Sequence, residues 1–211
     1  MPAVASESLI LRTYPLKESD LIVSFFTRDA GKLRGYARSA RKPRSQFGAS
    51  LERMSHARMY YIQRENRDLL TLTNCDLIQS QFAIASDYDA GVALDYIAEI
   101  SDLLLPANEV NEKFFRLLLS VVEDLRNGGS PWRAVLYTSL WAVRLSGFLG
   151  DPAVAPESRQ LAIEMLQRPI SQVEAPEWAK TTARDLRRSL LRDIEMHTER
   201  RVQSAVILES L

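Results

Sequence analysis

LIVSFFTRDAGKLRGYA, Leu21 to Ala37, is the stretch on which the fold of the first part of this 211-residue chain turns. Leu21–Arg28 is apolar and β-branched enough for a buried strand. Asp29-Ala30-Gly31 makes a hairpin-like turn, and Lys32–Ala37 continues as a second strand. Strand side chains alternate between faces, which puts Leu33 and Gly35 on one side and Lys32, Arg34 and Tyr36 on the other. A strand face that shows cations and an aromatic is a platform on which a single strand of nucleic acid can lie.

The flanks extend this pattern. Upstream, Ser8–Tyr14 (SLILRTY) is rich in β-formers and ends at Pro15, with the polar LKESD as the turn into Leu21. Downstream, Pro43 and Gly48 mark Ala40–Ser50 as a loop. Met54–Gln63 (MSHARMYYIQ) and Leu69–Ile78 (LLTLTNCDLI) read as two more strands, joined by a polar turn at Arg64–Asp68. Five short strands with no competing helix predict a small closed or nearly closed barrel. The oligonucleotide/oligosaccharide-binding (OB) fold has five strands and binds strands across one face. SH3-like barrels have similar strand counts, and the pattern alone does not separate the two.

From Ile84 the apolar period becomes helical, with Ala93, Leu94, Ile97, Ala98, Ile100, Ser101 and Leu104 recurring up to Pro106. Asn111 is placed to cap a helix that Gly128-Gly129 closes. Ser130 and Pro131 open a further helix, predicted to run to Leu149, whose broad apolar face marks it as central. Pro152 and Pro156 form a linker to a short helix over Glu157–Gln167, and Pro169–Pro176 forms another. Lys180–Met196 reads as a long helix that VQSAVIL could extend. The expected class is thus α+β in two parts: an OB-fold barrel over residues 1–79 and an all-helical bundle of about five helices over residues 80–211.

The net charge is zero, with 27 basic and 27 acidic residues, but the distribution is uneven. Residues 1–75 hold 13 Lys and Arg against 7 Asp and Glu, and residues 76–211 hold 14 against 20. The basic half points to nucleic acid and the acidic half is left for protein contacts. The cations concentrate in GKLRGYARSARKPRSQFG, Gly31 to Gly48, which has six of them (Lys32, Arg34, Arg38, Arg41, Lys42, Arg44) and no acid. Such a segment repels itself unless something negative neutralises it. Phosphates suit this, because each one neutralised releases a condensed counterion. A purely solubilising surface would interleave acids, and the excess of arginine over lysine favours bidentate phosphate contact. The expected phosphate contacts are these six, with Arg12 as a further candidate. Tyr36 and Phe47 are expected to stack bases, with an anchoring role inside the barrel as the alternative for Phe47.

No catalytic constellation accompanies these residues. There is no GxGxxG, GxxxxGK[ST], HExxH or GxSxG pattern. His56 and His197 have no companion at metal-ligand spacing, and both read as structural or surface residues. The single cysteine, Cys75, excludes an internal disulfide and any multi-cysteine zinc site, and its strand context predicts a buried thiol. Trp132, Trp141 and Trp178 read as core or docking aromatics. Neither a secretory signal nor an apolar stretch of spanning length is evident, so no membrane association and a cytoplasmic, nucleoid-associated location are expected.

The order LRTYPLKESDLIVSFFTRDAGKLRGYARSARKPRSQFGASLE resembles the N-terminal region of the bacterial DNA-repair family RecO: a strand, an ESD turn, a strand ending in FT, then GK and an ARK-P-S-F run. The resemblance covers Leu9–Glu52 closely. LLTLTNCDLIQSQ resembles the continuation of the barrel, and LSGFLGDP and HTERRVQSAVIL resemble segments of the helical part. It implies an OB barrel followed by helices, binding of single- and double-stranded DNA, annealing of complementary strands, and help in loading RecA onto DNA coated by single-strand-binding protein (SSB), the RecFOR pathway. RecR and the C-terminal tail of SSB are the implied protein partners, RecA an indirect one, and no cofactor or catalytic residue comes with the family. One departure is plain. Many members carry a four-cysteine zinc site after the position of Gly150, whereas Asp151–Gln172 here is shortened and has no cysteine. A zinc-less member is expected, with Pro152, Pro156 and Trp178 as candidate replacement packing.

The main functional expectation is therefore a non-enzymatic DNA-binding mediator. An RNA-binding barrel with a helical protein-interaction domain is the alternative, separable by competition between matched DNA and RNA oligomers. An adaptor whose basic loop meets an acidic protein tail is a third, and it would show no steep salt dependence on DNA.

Overall fold

The computed structural model describes residues 3–63, 69–150, 153–173 and 180–209. The expected turn at Arg64–Asp68, and Pro152 and Trp178, lie outside the described residues. Among the described residues five strands form: β1 Val4–Leu16, β2 Asp20–Thr27, β3 Gly31–Ala37, β4 His56–Ile62 and β5 Leu70–Gln79. They close into a barrel in the order β1-β2-β3-β5-β4. β1 meets β4 antiparallel from Val4–Tyr61 to Leu9–His56, and β3 meets β5 in parallel over Gly35–Ala37 and Leu70–Leu72. This is the OB-type barrel expected from the strand pattern. β1 is longer than its sequence suggested and runs through Pro15. β1 meets β4 only over Val4–Leu9, so at Pro15 β1 has left β4 behind and runs beside β2 alone, a position where proline is tolerated.

The barrel interior follows from the alternation. Ile10, Val23, Phe25, Leu33, Ala57, Met59, Leu70, Leu72 and Cys75 point inward, and their burial out of water drives closure at roughly 1.5–3 kcal/mol for each large side chain. Gly35 sits at the β3–β5 junction, where an added Cβ would collide with a methyl of Leu72. Cys75 is buried, and desolvation pushes its thiol up to about 11.

Among the described residues seven α-helices follow: α1 Phe82–Ala85, α2 Tyr88–Leu104, α3 Glu112–Arg126, α4 Pro131–Leu145, α5 Pro156–Gln167, α6 Lys180–Thr198 and α7 Ser204–Leu208. Among the described residues no helix is long and apolar enough to cross a membrane. The chain divides into two compact units, the barrel together with Leu105–Phe115, and Ala83–Leu104 together with Arg116 onward. A boundary at residues 79/80 assigns Leu105–Phe115 to the helices, but the segment packs on the barrel. There Phe114 and Phe115 lie 6.0 and 5.7 Å from the ring of Phe26. The Asn108 N–H donates to the Lys32 carbonyl at 3.0 Å, beside a bridge between Lys32 and Ala107. Gly31, at φ +75°, permits this approach, because a Cβ there would collide with the Glu109 carbonyl.

Within the helical unit α4 packs against α2, α5 and α6, as its broad apolar face predicts. It stops at Leu145 instead of Leu149, because Gly147 takes a left-handed φ of +83° and its N–H returns to the Arg144 carbonyl. Nor does VQSAVIL continue α6. Glu199 turns the chain at φ +53°, and α7 starts anew with the Glu99 carboxylate accepting from the N–H groups of Gln203 and Ser204 at 3.0 and 2.8 Å. An acid at a helix N-terminus satisfies donors the helix cannot satisfy itself. Arg187, 1% exposed, lies across from Trp132 with its guanidinium 5.8 Å from the ring centroid, and donates to Glu209 at 3.3 Å.

Candidate nucleic-acid interface

The outward face of β1, β2 and β3 is assembled by register. Arg12 pairs with Ser24, which pairs with Arg34, and Tyr14 pairs with Ile22, which pairs with Tyr36. Paired residues share a face, so two arginines and two tyrosines stand together on the outside of the barrel. The guanidinium carbons of Arg12 and Arg34 lie 5.1 and 5.6 Å from the centre of the Tyr14 ring. Cations at that distance are attracted to the ring face. Tyr14 is absent from the sequence-derived set. Its signal was the β1–β2 hairpin register, which Pro15 obscured by suggesting that the strand had ended. At the other end of this face the outer side chain of Phe26, opposite Lys32, is covered by Phe114 and Phe115. Lys32 is half-buried there, apart from the loop cations.

Beyond β3 the chain forms the basic loop. Arg38, Arg41, Lys42 and Arg44 are all exposed. Among the described residues, none of these four, nor Arg34, forms an ion pair with a carboxylate. The loop is held by its main chain and by one acid. Asp20 accepts from the Tyr36 hydroxyl at 2.6 Å and from the Ser39 N–H at 2.7 Å. The Arg41 N–H donates to the Ser19 carbonyl at 2.9 Å, tying the basic loop to the β1–β2 turn. Ser39 adopts a left-handed φ of 56°, a conformation that costs a non-glycine residue free energy and that its bond to Asp20 helps to hold.

Phe47 is corrected by the structure. At 1% exposure it fills the barrel interior with Leu51, so it anchors the loop and has no face open for a base. Burial of a ring this size is worth more to folding than exposure in a loop. Tyr36 keeps its outward position but commits its hydroxyl to Asp20. Ser39 N–H, and then Tyr36 O–H, hold the Asp20 carboxyl below the usual carboxylate range, and the same bond raises the Tyr36 hydroxyl. A lowered carboxylate stabilises the folded loop fully above its unfolded value, ~3.9, and loses that contribution as pH falls through its folded value. The expected result for Asp20→Asn is a lower melting temperature than wild type at neutral pH, with the gap closing below about pH 4. Thermal melts across pH check this. A gap that does not change with pH would remove Asp20 as the clamp.

The two histidines and Trp141 have partners of their own. His56 is bonded to Glu7 at 2.7 Å, and His197 is stacked on Phe148 with ring centres 3.9 Å apart. Trp141 donates to the Met165 carbonyl at 3.0 Å. Among the described residues no group of three or more His, Cys, Asp or Glu could hold a metal ion. With one cysteine, and that one inside the barrel, the residues present do not fit a four-cysteine zinc site.

A family model described as "Recombination protein O N terminal" matches residues 1–81, and one described as "Recombination protein O C terminal" matches residues 85–151. The DNA repair protein RecO of Koribacter versatilis (strain Ellin345) is 35% identical over 240 residues, covering 98% of this chain and 98% of that protein. That alignment is longer than the 211 residues of this chain, so it passes over positions at which this chain has no residue. The DNA repair protein RecO of Geobacter sulfurreducens is 36% identical over 130 residues, 62% of this chain and 53% of that protein. The one from Thermodesulfovibrio yellowstonii is 29% identical over 147 residues, 70% and 58% respectively. The matched region thus spans a little over half the length of these last two relatives.

Proposed function

This chain belongs to the RecO family and has its role in DNA repair and recombination, and from that premise we propose that it is a non-enzymatic mediator that binds single- and double-stranded DNA through its barrel. The observation that carries this is the set of four exposed cations Arg38, Arg41, Lys42 and Arg44, none ion-paired with a carboxylate among the described residues, on a loop pinned beside an arginine- and tyrosine-bearing sheet face. The loop cations hold phosphates, Arg12 and Arg34 extend the basic track across β1–β3, and Tyr14 and Tyr36 present rings to bases. Lys32 contributes charge at the covered end of the face. Neutralising the phosphates of two complementary strands lowers the repulsion that slows their pairing, which is a physical route to annealing without bond chemistry. The family's implied activities, loading RecA onto SSB-coated DNA together with RecR and the C-terminal tail of SSB, follow from the same reading, as does a place at the nucleoid.

A fluorescence-anisotropy titration with single-stranded DNA over a salt series tests it. Four to six phosphate contacts predict log affinity falling against log salt with a slope of about −3 to −4. A slope near zero would sink the proposal.

A further inference from the structure

The stretch in which other family members bind zinc, Asp151–Gln172, contains neither cysteine nor histidine in this chain. It is nevertheless folded, and α5 within it has only 12 residues. An isolated helix of that length is marginal in water. Nor does α5 cap itself. Ala155 at its N-cap has no side chain that can accept a hydrogen bond, and no glycine turns its C-terminal end, where Arg168 is extended and Pro169 follows. Both ends are satisfied by neighbouring helices. Asp185 of α6 accepts from the Ala155 N–H at 2.9 Å and from the Ser158 hydroxyl at 2.7 Å. These bonds, the one from Ala155 foremost, hold the Asp185 carboxyl below the usual carboxylate range. On α4, Arg133, Tyr137 and Trp141 stand four residues apart and so share a face. The Trp141 indole donates to the Met165 carbonyl at 3.0 Å, the Tyr137 hydroxyl to the Arg168 carbonyl at 3.1 Å, and the Arg133 guanidinium to the Val173 carbonyl at 3.0 Å. Arg133 is itself held by both carboxylate oxygens of Asp124, at 2.7 and 3.2 Å.

The Met165 carbonyl is among the last four of α5, which have no partner within the helix. Between these bonds Leu161, Ala162, Met165, Ile170 and Val173 are buried, whereas Pro156, a candidate for replacement packing, is exposed in the first turn of α5. We propose that the three donors of α4, with the Asp185 clasp of α6, do for residues 155–173 what a bound metal does elsewhere in the family. The order of this segment then depends on neither metal supply nor thiol redox state. A zinc–thiolate site is lost to chelators and to oxidation of its cysteines. Bonds from indole, phenol and guanidinium groups to main-chain carbonyls are open to neither attack. The one thiol of the chain, Cys75, is buried inside the barrel.

Hydrogen–deuterium exchange of the full chain, read by mass spectrometry, tests this. In the unsubstituted protein, exchange over α5 should be the same with added zinc, with EDTA, and with or without reductant. Tyr137→Phe removes one donor and keeps the ring, and Asp185→Ala opens the clasp from the other helix. Each should speed exchange over α5 about fivefold, the worth of one hydrogen bond, with β2 of the barrel unchanged. The double variant should reach about 25-fold, because the two bonds lie at opposite ends of α5 and act separately. Should Tyr137→Phe speed exchange over the barrel as well, the whole chain has been weakened, and Asp185→Ala decides alone. Unchanged exchange over α5 in Asp185→Ala overturns the inference. So does faster exchange over α5 when EDTA is added to the unsubstituted protein.

Discussion

Changing Arg38, Arg41, Lys42 and Arg44 together to Glu is expected to abolish binding of single-stranded DNA at moderate salt while leaving the melting temperature near that of wild type. Four lost phosphate contacts alone flatten the salt slope by about 3, and four added negative charges repel the strand besides. Affinity should fall by more than about 100-fold. The fold should survive because the four side chains are exposed and hold no carboxylate in the folded chain. Surface changes of that kind usually shift stability by ~0.5 kcal/mol or less each. The loop's shape depends on main-chain groups, the Arg41 N–H on Ser19 and the Ser39 N–H on Asp20, which the substitutions leave in place. Anisotropy and circular-dichroism melts on the same preparation read both halves. Wild-type affinity in the reversed protein would end the case for this loop.

The second large effect is on stability. Phe47→Ala removes a fully buried ring from the barrel, and truncations of that kind cost about 3–5 kcal/mol. The urea midpoint of the barrel transition should drop accordingly. DNA affinity, measured without denaturant at low temperature where the variant remains folded, should fall less than in the charge-reversed protein. A base-stacking phenylalanine would give the reverse, an unchanged midpoint with a binding loss of about 1–3 kcal/mol. The two measurements on one variant therefore decide between anchor and platform.

How much of this was legible beforehand depended on how local the signal was. The strand alternation over Lys32–Ala37 is a two-residue property and held residue by residue, with Leu33 and Gly35 buried and Arg34 exposed. Asn111 caps α3 through its side chain on the Phe114 N–H at 3.0 Å, again a local device. Failures came where a residue's role is set by something distant. Tyr14 joins the basic face only because β1 and β3 both flank β2. Asp20 looks like an ordinary turn acid until the chain returns at Tyr36 and Ser39 to meet it. Phe47 could be read either way from the loop alone, and the closed interior decided. For α4 the choice between Gly147 and Gly150 as the stop was a choice between two plausible C-terminal glycines, and the left-handed turn formed at the first.

The union of Lys32 with Ala107 and Asn108 bears on what happens when two copies of the chain meet. β5 takes only the last three residues of β3, so the first half of that strand would otherwise present backbone donors and acceptors to any neighbour. A passing segment of the same chain occupies them at Lys32. Unsheltered strand borders invite one molecule to add its sheet to the next. At Lys32 the chain covers that border with its own main chain.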